Sequence, residues 1–198
     1  MAPTFEVLPG LPGEGPYPEQ FTTSGGTHRE GFVVRVIPEH GAAWIGNFQP
    51  GLGAISKVVV HPDGKTLLVF SRGLAYPIDP ETRRLASPAV DDGVRDICVS
   101  GDQLVLVGYT GLTILGPGDQ RWQSQRLAWD GIKDVCIEGV KLTAMGWDAM
   151  GDVWRPVEVA LRDGTVKASA YEFEVVPPQR RSARGALKAM VQRLFRRS

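Results

Sequence analysis

Cysteine is scarce in this chain: Cys98 and Cys136 are the only two among 198 residues. Two thiols cannot build the disulfide framework on which small secreted domains depend. With no C-x-x-C and no neighbouring histidine, they also lack the spacing of a metal or redox pair. Histidine is nearly as rare, and His28, His40 and His61 all fall in the first third, beside Glu30, Glu39 and Asp63. They read as solvated loop residues unless the fold brings three loops together. No apolar run approaches the ~20 residues of a membrane span, and the opening "MAPTFEVLPG" has neither a basic nor an apolar leader region. The expected compartment is therefore the cytoplasm. G-x-S-x-G, H-E-x-x-H, S-x-x-K, the phosphate loop and the dinucleotide fingerprint are all missing, so no motif-bearing hydrolase or nucleotide enzyme is indicated and no cofactor or metal is expected. A triad assembled by geometry escapes this test. Ser24, in "TTSGGTH", is the one serine near a histidine in a permissive loop.

Acidic residues are missing from one stretch only. Residues 177–198 hold seven basic residues (Arg180, Arg181, Arg184, Lys188, Arg193, Arg196 and Arg197) and no acid, whereas the whole chain is neutral. The remainder therefore carries a net charge of −7. An acidic body with a basic tail suits a basic protein partner.

What is present divides the chain into three. Residues 1–31 contain Pro3, Pro9, Pro12, Pro16 and Pro18 among six glycines and are expected to form an irregular arm, part of it laid against the body through Phe5, Val7, Leu8, Leu11, Tyr17 and Phe21. Residues 32–176 show short β-branched and aliphatic runs separated by turn chemistry such as "HPDG" and "PETR". Within them "VRDICVSGD" from Val94 returns as "IKDVCIEGV" from Ile132, and Ile55, Val94 and Ile132 begin equivalent units 39 and 38 residues apart. Leu104 matches Leu142, Gly108 matches Gly146, and Tyr109 matches Trp147. "DDG" at Asp91 and "WDG" at Trp129 take the same inter-unit turn, which is the simpler account of Asp91 and Asp92 than acid–base work. A period near 40 with four short strands is that of a propeller blade. The prediction is a mostly β, antiparallel body of about three blade-like four-stranded repeats, forming a small or open propeller-like assembly, with a β-sandwich as the alternative. In such repeats Cys98 and Cys136 are read as small buried hydrophobes.

"HPDGKTLLVF" followed by "PIDPETRR" resembles the strand, P-D-G turn, strand and D-x-x-T turn of bacterial β-propeller-type repeat proteins, through Pro62, Asp63, Gly64, Lys65, Leu67, Val69, Ile78, Asp79 and Thr82. "RLAWDG" and "GWDA" are similar to pieces of small bacterial proteins. The resemblance spans residues 55–165 and implies blade-like repeats in a bacterial protein.

Function is read from the aromatic strand ends. Trp44, Tyr109 and Trp147 each close a hydrophobic strand beside glycine or asparagine, and with Asp148 they are the expected binding residues, since Trp and Tyr bury large area at interfaces with few lost rotamers. The leading expectation is a non-catalytic protein-binding module of a bacterial cytoplasmic protein, an adaptor or toxin-immunity partner. An enzyme of hydrolase or lactonase type would instead need a pocket where two or more of His28, His40, His61, Asp63, Asp96 and Asp134 face one another. The third reading concerns the tail. After Pro177 and Pro178, Leu187, Met190, Val191, Leu194 and Phe195 fall at helical spacing, Ser182 can cap the start, and Arg184 and Lys188 lie on the flanks. This predicts a basic amphipathic helix over 177–198 that docks on its own acidic body, on an anionic membrane surface or on a partner. Nucleic acid is not expected, because the basic segment lacks interleaved aromatics. The oligomeric state is open.

Overall fold

The computed structural model describes residues 3–23, 25–87, 93–118 and 120–171. Among them the chain is all β, with sixteen strands in four four-stranded sheets. The first sheet holds β1 (Thr4–Val7), β2 (Glu19–Phe21), β3 (Phe32–Ile37) and β4 (Trp44–Phe48) in the order β1-β3-β4-β2. The second holds β5 (Lys57–Val60), β6 (Leu67–Ser71), β7 (Leu74–Asp79) and β8 (Arg84–Leu85) in chain order. The third holds β9 (Asp96–Ser100), β10 (Gln103–Val107), β11 (Leu112–Leu115) and β12 (Arg121–Gln123), and the fourth β13 (Ile132–Glu138), β14 (Lys141–Asp148), β15 (Val153–Ala160) and β16 (Val166–Ala168), again in chain order. All pairings are antiparallel except β2 with β4, which is parallel.

Strand alternation sends successive side chains to opposite faces, and here both faces are apolar in the middle of the molecule. Leu67 and Val69 of β6 pack toward the first sheet with Val34, Val36, Trp44 and Phe48. Their neighbours Leu68 and Phe70 pack toward the third sheet with Ile97, Leu104 and Leu106. Val105, Val107, Leu112 and Ile114 then meet Leu142, Ala144, Val157 and Val159 of the fourth sheet. The sheets therefore stack face to face in chain order, as propeller blades do. Among the described residues no core cluster joins the first sheet to the last. The stack has two end faces.

Four sheets stand where about three repeats were expected, and the extra one absorbs the proline-rich start. The segment read as an irregular arm supplies β1, which pairs with β3 from Thr4↔Ile37 to Val7↔Val34, and β2, which pairs with β4. Proline did not prevent this, because Pro3, Pro9, Pro12, Pro16 and Pro18 all fall outside the two short edge strands, which keep every backbone donor. Phe21 seals the result, stacking on Phe48 at 4.6 Å and meeting Tyr76 edge-on at 6.5 Å. Such ring pairs contribute about 0.5–1.5 kcal/mol each beyond area burial.

Turn chemistry follows the sequence closely. In the "HPDG" turn the Asp63 carboxylate accepts from the Lys65 and Thr66 amides at 2.8 Å and from the Thr66 hydroxyl at 2.7 Å. Asp79 accepts from the Glu81 and Thr82 amides in the same manner. Ser24, Asp91, Asp92 and the predicted helix over 177–198 lie outside the described residues.

Candidate protein-contact surface

Gly131 organises one end of the third and fourth sheets. Its amide donates to the Tyr109 carbonyl at 2.8 Å, and its own carbonyl accepts from the Trp147 amide at 3.0 Å. The residue has φ 104°, a conformation that favours glycine, and a Cβ there would meet the Trp154 ring at 3.4 Å and the Arg95 guanidinium at 3.6 Å. Two residues earlier, the Trp129 amide donates to the Trp147 carbonyl at 2.8 Å. One short loop thus gathers aromatic residues from five separate places in the sequence.

Cations lie against these rings. The Arg95 guanidinium lies 4.6 Å from the centre of the Tyr109 ring, and the Lys133 ammonium 4.3 Å from that of Trp154. Arg126 lies 4.6 Å from the Tyr171 ring and 5.4 Å from Trp129, with its Nε and Nη2 donating to the Ala128 and Trp129 carbonyls. Trp147 and Trp154 meet at 5.3 Å, and Trp129 and Tyr171 at 4.7 Å. Each exposed cation–π contact contributes about 0.5–1 kcal/mol. The rings are therefore held in place before any partner arrives, and little rotamer entropy is left to lose on binding. Tyr109 is 39% exposed and the other four rings are part-exposed.

Of the sequence-predicted residues, the structure brings Tyr109 and Trp147 together on this rim. Trp44 is not a surface residue: it is 3% exposed within the core between the first two sheets, and its Nε1 donates to the Pro80 carbonyl at 2.9 Å. It closes a strand, but the second sheet covers it. Asp148 is a turn residue. Its carboxylate accepts from the Arg155 guanidinium and from the Met150 and Gly151 amides, which ties the β14–β15 hairpin. The Arg155 hydrogen bond first, and the Gly151 amide second, hold its carboxyl below the usual range. Sequence reasoning missed Arg95, Arg126, Trp129, Lys133, Trp154 and Tyr171. A signal existed for two of them, since Arg95 and Lys133 match each other in the repeat, just as Tyr109 matches Trp147.

The cysteines depart from the expectation of burial. Cys98 is half-buried against the core between the third and fourth sheets, whereas Cys136 is exposed. Burial pushes the Cys98 thiol pKa up, with the Asp96 charge adding to it.

Of the residues that an enzyme would need, the structure brings His61 to Asp63 and sets His40 in one groove with Asp63, whereas His28 lies in another sheet. The His28 ring Nε2 lies 3.2 Å from the Asn47 carbonyl in the first sheet, whereas the His61 ring Nδ1 is 3.2 Å from the Asp63 carboxylate in the second. His40 and Asp63 line one surface groove with Asp79 and Glu81. Both aspartates there are engaged by their own turns. Among the described residues no group of three His, Cys, Asp or Glu side chains is placed to hold a metal ion.

No family model matches the chain, and no curated protein matches it. Among solved structures, the crystal structure of the N-terminal domain of Nup159 is similar, with 15% sequence identity and a TM-score of 0.42 over 87% of this chain and 50% of that one. The chain thus spans about half the length of the solved structure that it matches.

Proposed function

We propose that this chain is a non-catalytic protein-binding module whose contact surface is the rim of Tyr109, Trp129, Trp147, Trp154 and Tyr171. The observation that supports it is the arrangement of five part-exposed rings around one glycine, braced by Arg95, Arg126 and Lys133. Tyr, Trp and Arg are the residue types that dominate binding energy at protein interfaces. Nothing in the packing of the sheets requires these rings to sit at the surface, whereas an interface does. An adaptor or immunity-type partner of the bacterial cytoplasm is the role this surface suits. The net −7 body favours a basic partner through long-range attraction. The rim itself alternates exposed Arg95, Arg126 and Lys133 with exposed Asp96, Asp130 and Asp134, so it sets register more than sign.

Affinity capture from the native host at moderate salt tests the reading. The wild-type chain should retain a stoichiometric protein, and a Tyr109→Ala, Trp154→Ala double variant with unchanged melting should lose at least about 2 kcal/mol of that affinity. No stoichiometric partner, or one retained equally by the variant, would count against it.

A further inference from the structure

The fourth sheet turns to solvent a face that the repeat uses elsewhere as interior. In the third sheet Cys98 lies opposite Val105, and this face, with Val107, Leu112 and Ile114, packs on the fourth sheet. In the fourth sheet the matching pair is Cys136 opposite Thr143, followed by Met145 opposite Pro156 and Trp147 opposite Trp154. These positions alternate with Leu142 and Ala144, which point into the core, so they face the other way. Among the described residues no further sheet lies against them, and Cys136 and Pro156 are exposed.

We infer that the outer face of the fourth sheet is the docking site of the chain's own residues 177–198, through Leu187, Met190, Val191, Leu194 and Phe195. The first argument is where the described chain ends. The Tyr171 ring lies 4.7 Å from Trp129, whose amide bonds the Trp147 carbonyl, and Ala170 packs with Ala128 on the core side, so the chain leaves at the Trp147 end of the fourth sheet and has only to round that end to reach the outer face. The second is length. Fifteen residues separate Tyr171 from Leu187. They reach up to about 50 Å, against a face about 26 Å long for an eight-residue strand. The third is pattern: the five apolar residues form a single stripe at helical spacing, which matches one uncovered apolar sheet face. Charge does not drive the contact. Glu158, at the far end of the face, is already shared by Lys141 at 3.0 Å and Lys167 at 3.5 Å. Docking should therefore survive moderate salt, unlike adsorption of a basic helix to anionic lipid.

This goes beyond the partner-binding reading: the face shares Trp147 and Trp154 with the rim, so the docked segment competes with a partner for them, and its readout needs no partner. In the full-length chain carrying Cys98→Ala, mild oxidation should join Cys136 to the thiol introduced by Val191→Cys at least about fivefold faster than to that of Ala189→Cys, which falls on the opposite side of the helical projection. In the otherwise wild-type chain, Leu194→Glu should raise the rate at which a thiol reagent labels Cys136 at least about fivefold by uncovering it. Equal cross-linking at the two positions would overturn the inference in favour of a free tail. Cross-linked dimers in place of monomers would do so in favour of a second copy. Salt-sensitive pelleting of the full chain with phosphatidylserine vesicles, with Cys136 labelling unchanged by Leu194→Glu, would favour a membrane.

Discussion

The two end sheets of the stack have been finished differently. On the outer side of the first sheet, Val33 and Asn47 face each other and are 2% and 0% exposed. The preceding loop covers them. Asn47 accepts from the Gly31 amide at 2.8 Å and donates to Gln20 at 3.1 Å and to the Arg29 carbonyl at 3.4 Å. The loop lies so close that a Cβ on Gly31 would fall 2.2 Å from the Phe48 carbonyl. Beyond this cover the face is mixed: Glu6 and Arg35 pair at 3.8 Å, with Ile45 opposite Arg35 and an exposed Ile37 beside them. At the other end the outer face carries Met145, Trp147, Trp154 and Pro156, and the described residues lay no loop across it. A stack of repeats needs a polar cap at each terminus to stay soluble. The first sheet has one built from its own side chains and loop. Among the described residues the last presents apolar surface, the feature on which the proposed contact rests.

The largest expected effect comes from the capped end. Phe48→Ala removes a fully buried ring that stacks on Phe21 and meets Tyr76 at 5.5 Å, and should cost about 3–5 kcal/mol in denaturant unfolding. A cost under about 1 kcal/mol would mean that the first sheet is not integral to the fold. Asn47→Ala should cost less, about 1–3 kcal/mol, because it leaves the Gly31 amide without its acceptor and opens the loop. Its signature should be faster hydrogen exchange confined to residues 28–31.

The third effect is smaller and depends on pH. Because the Arg155 hydrogen bond holds the Asp148 carboxyl below the usual range, the carboxylate stabilises the fold fully above the unfolded-state value. That contribution is lost as pH falls through the depressed folded value. Melting of wild type and Asp148→Asn compared from pH 7 downward should show a wild-type advantage that shrinks only below about pH 4. An advantage independent of pH would remove Asp148 from the hairpin's electrostatics.

How much of this was legible in the letters depended on whether the information was local. Turn residues such as Asp63, Asp79 and Gly64 act within four positions of themselves, so the strands and turns of the second, third and fourth sheets could be read directly. The first sheet could be read only in its β3–β4 hairpin, because β2 reaches β4 by a parallel pairing 27 residues away and no local pattern announces such a partner. Cys98 and Cys136 make the same point. Identical slots of a repeat were assigned identical burial, yet one has a sheet following it and the other has none among the described residues. Trp44 and Trp147 both end hydrophobic strands, and only the neighbouring sheet decides which is core. The cations of the rim were hidden because Arg126 contacts its rings through loops, whereas Arg95 and Lys133 could have been found from the repeat itself.

The contrast between the end faces is tested most directly by placing one lysine in each and measuring thermal melting. Val33→Lys forces a charge beneath the loop of the first sheet and should lower the melting temperature by about 10 °C or more. Trp154→Lys, on the face of the fourth sheet assigned to residues 177–198, should lower it by less than about 3 °C, because that segment can undock while the sheets stay folded. A drop for Trp154→Lys as large as that for Val33→Lys would show that the ring belongs to a core and would contradict the account of this end as a contact surface.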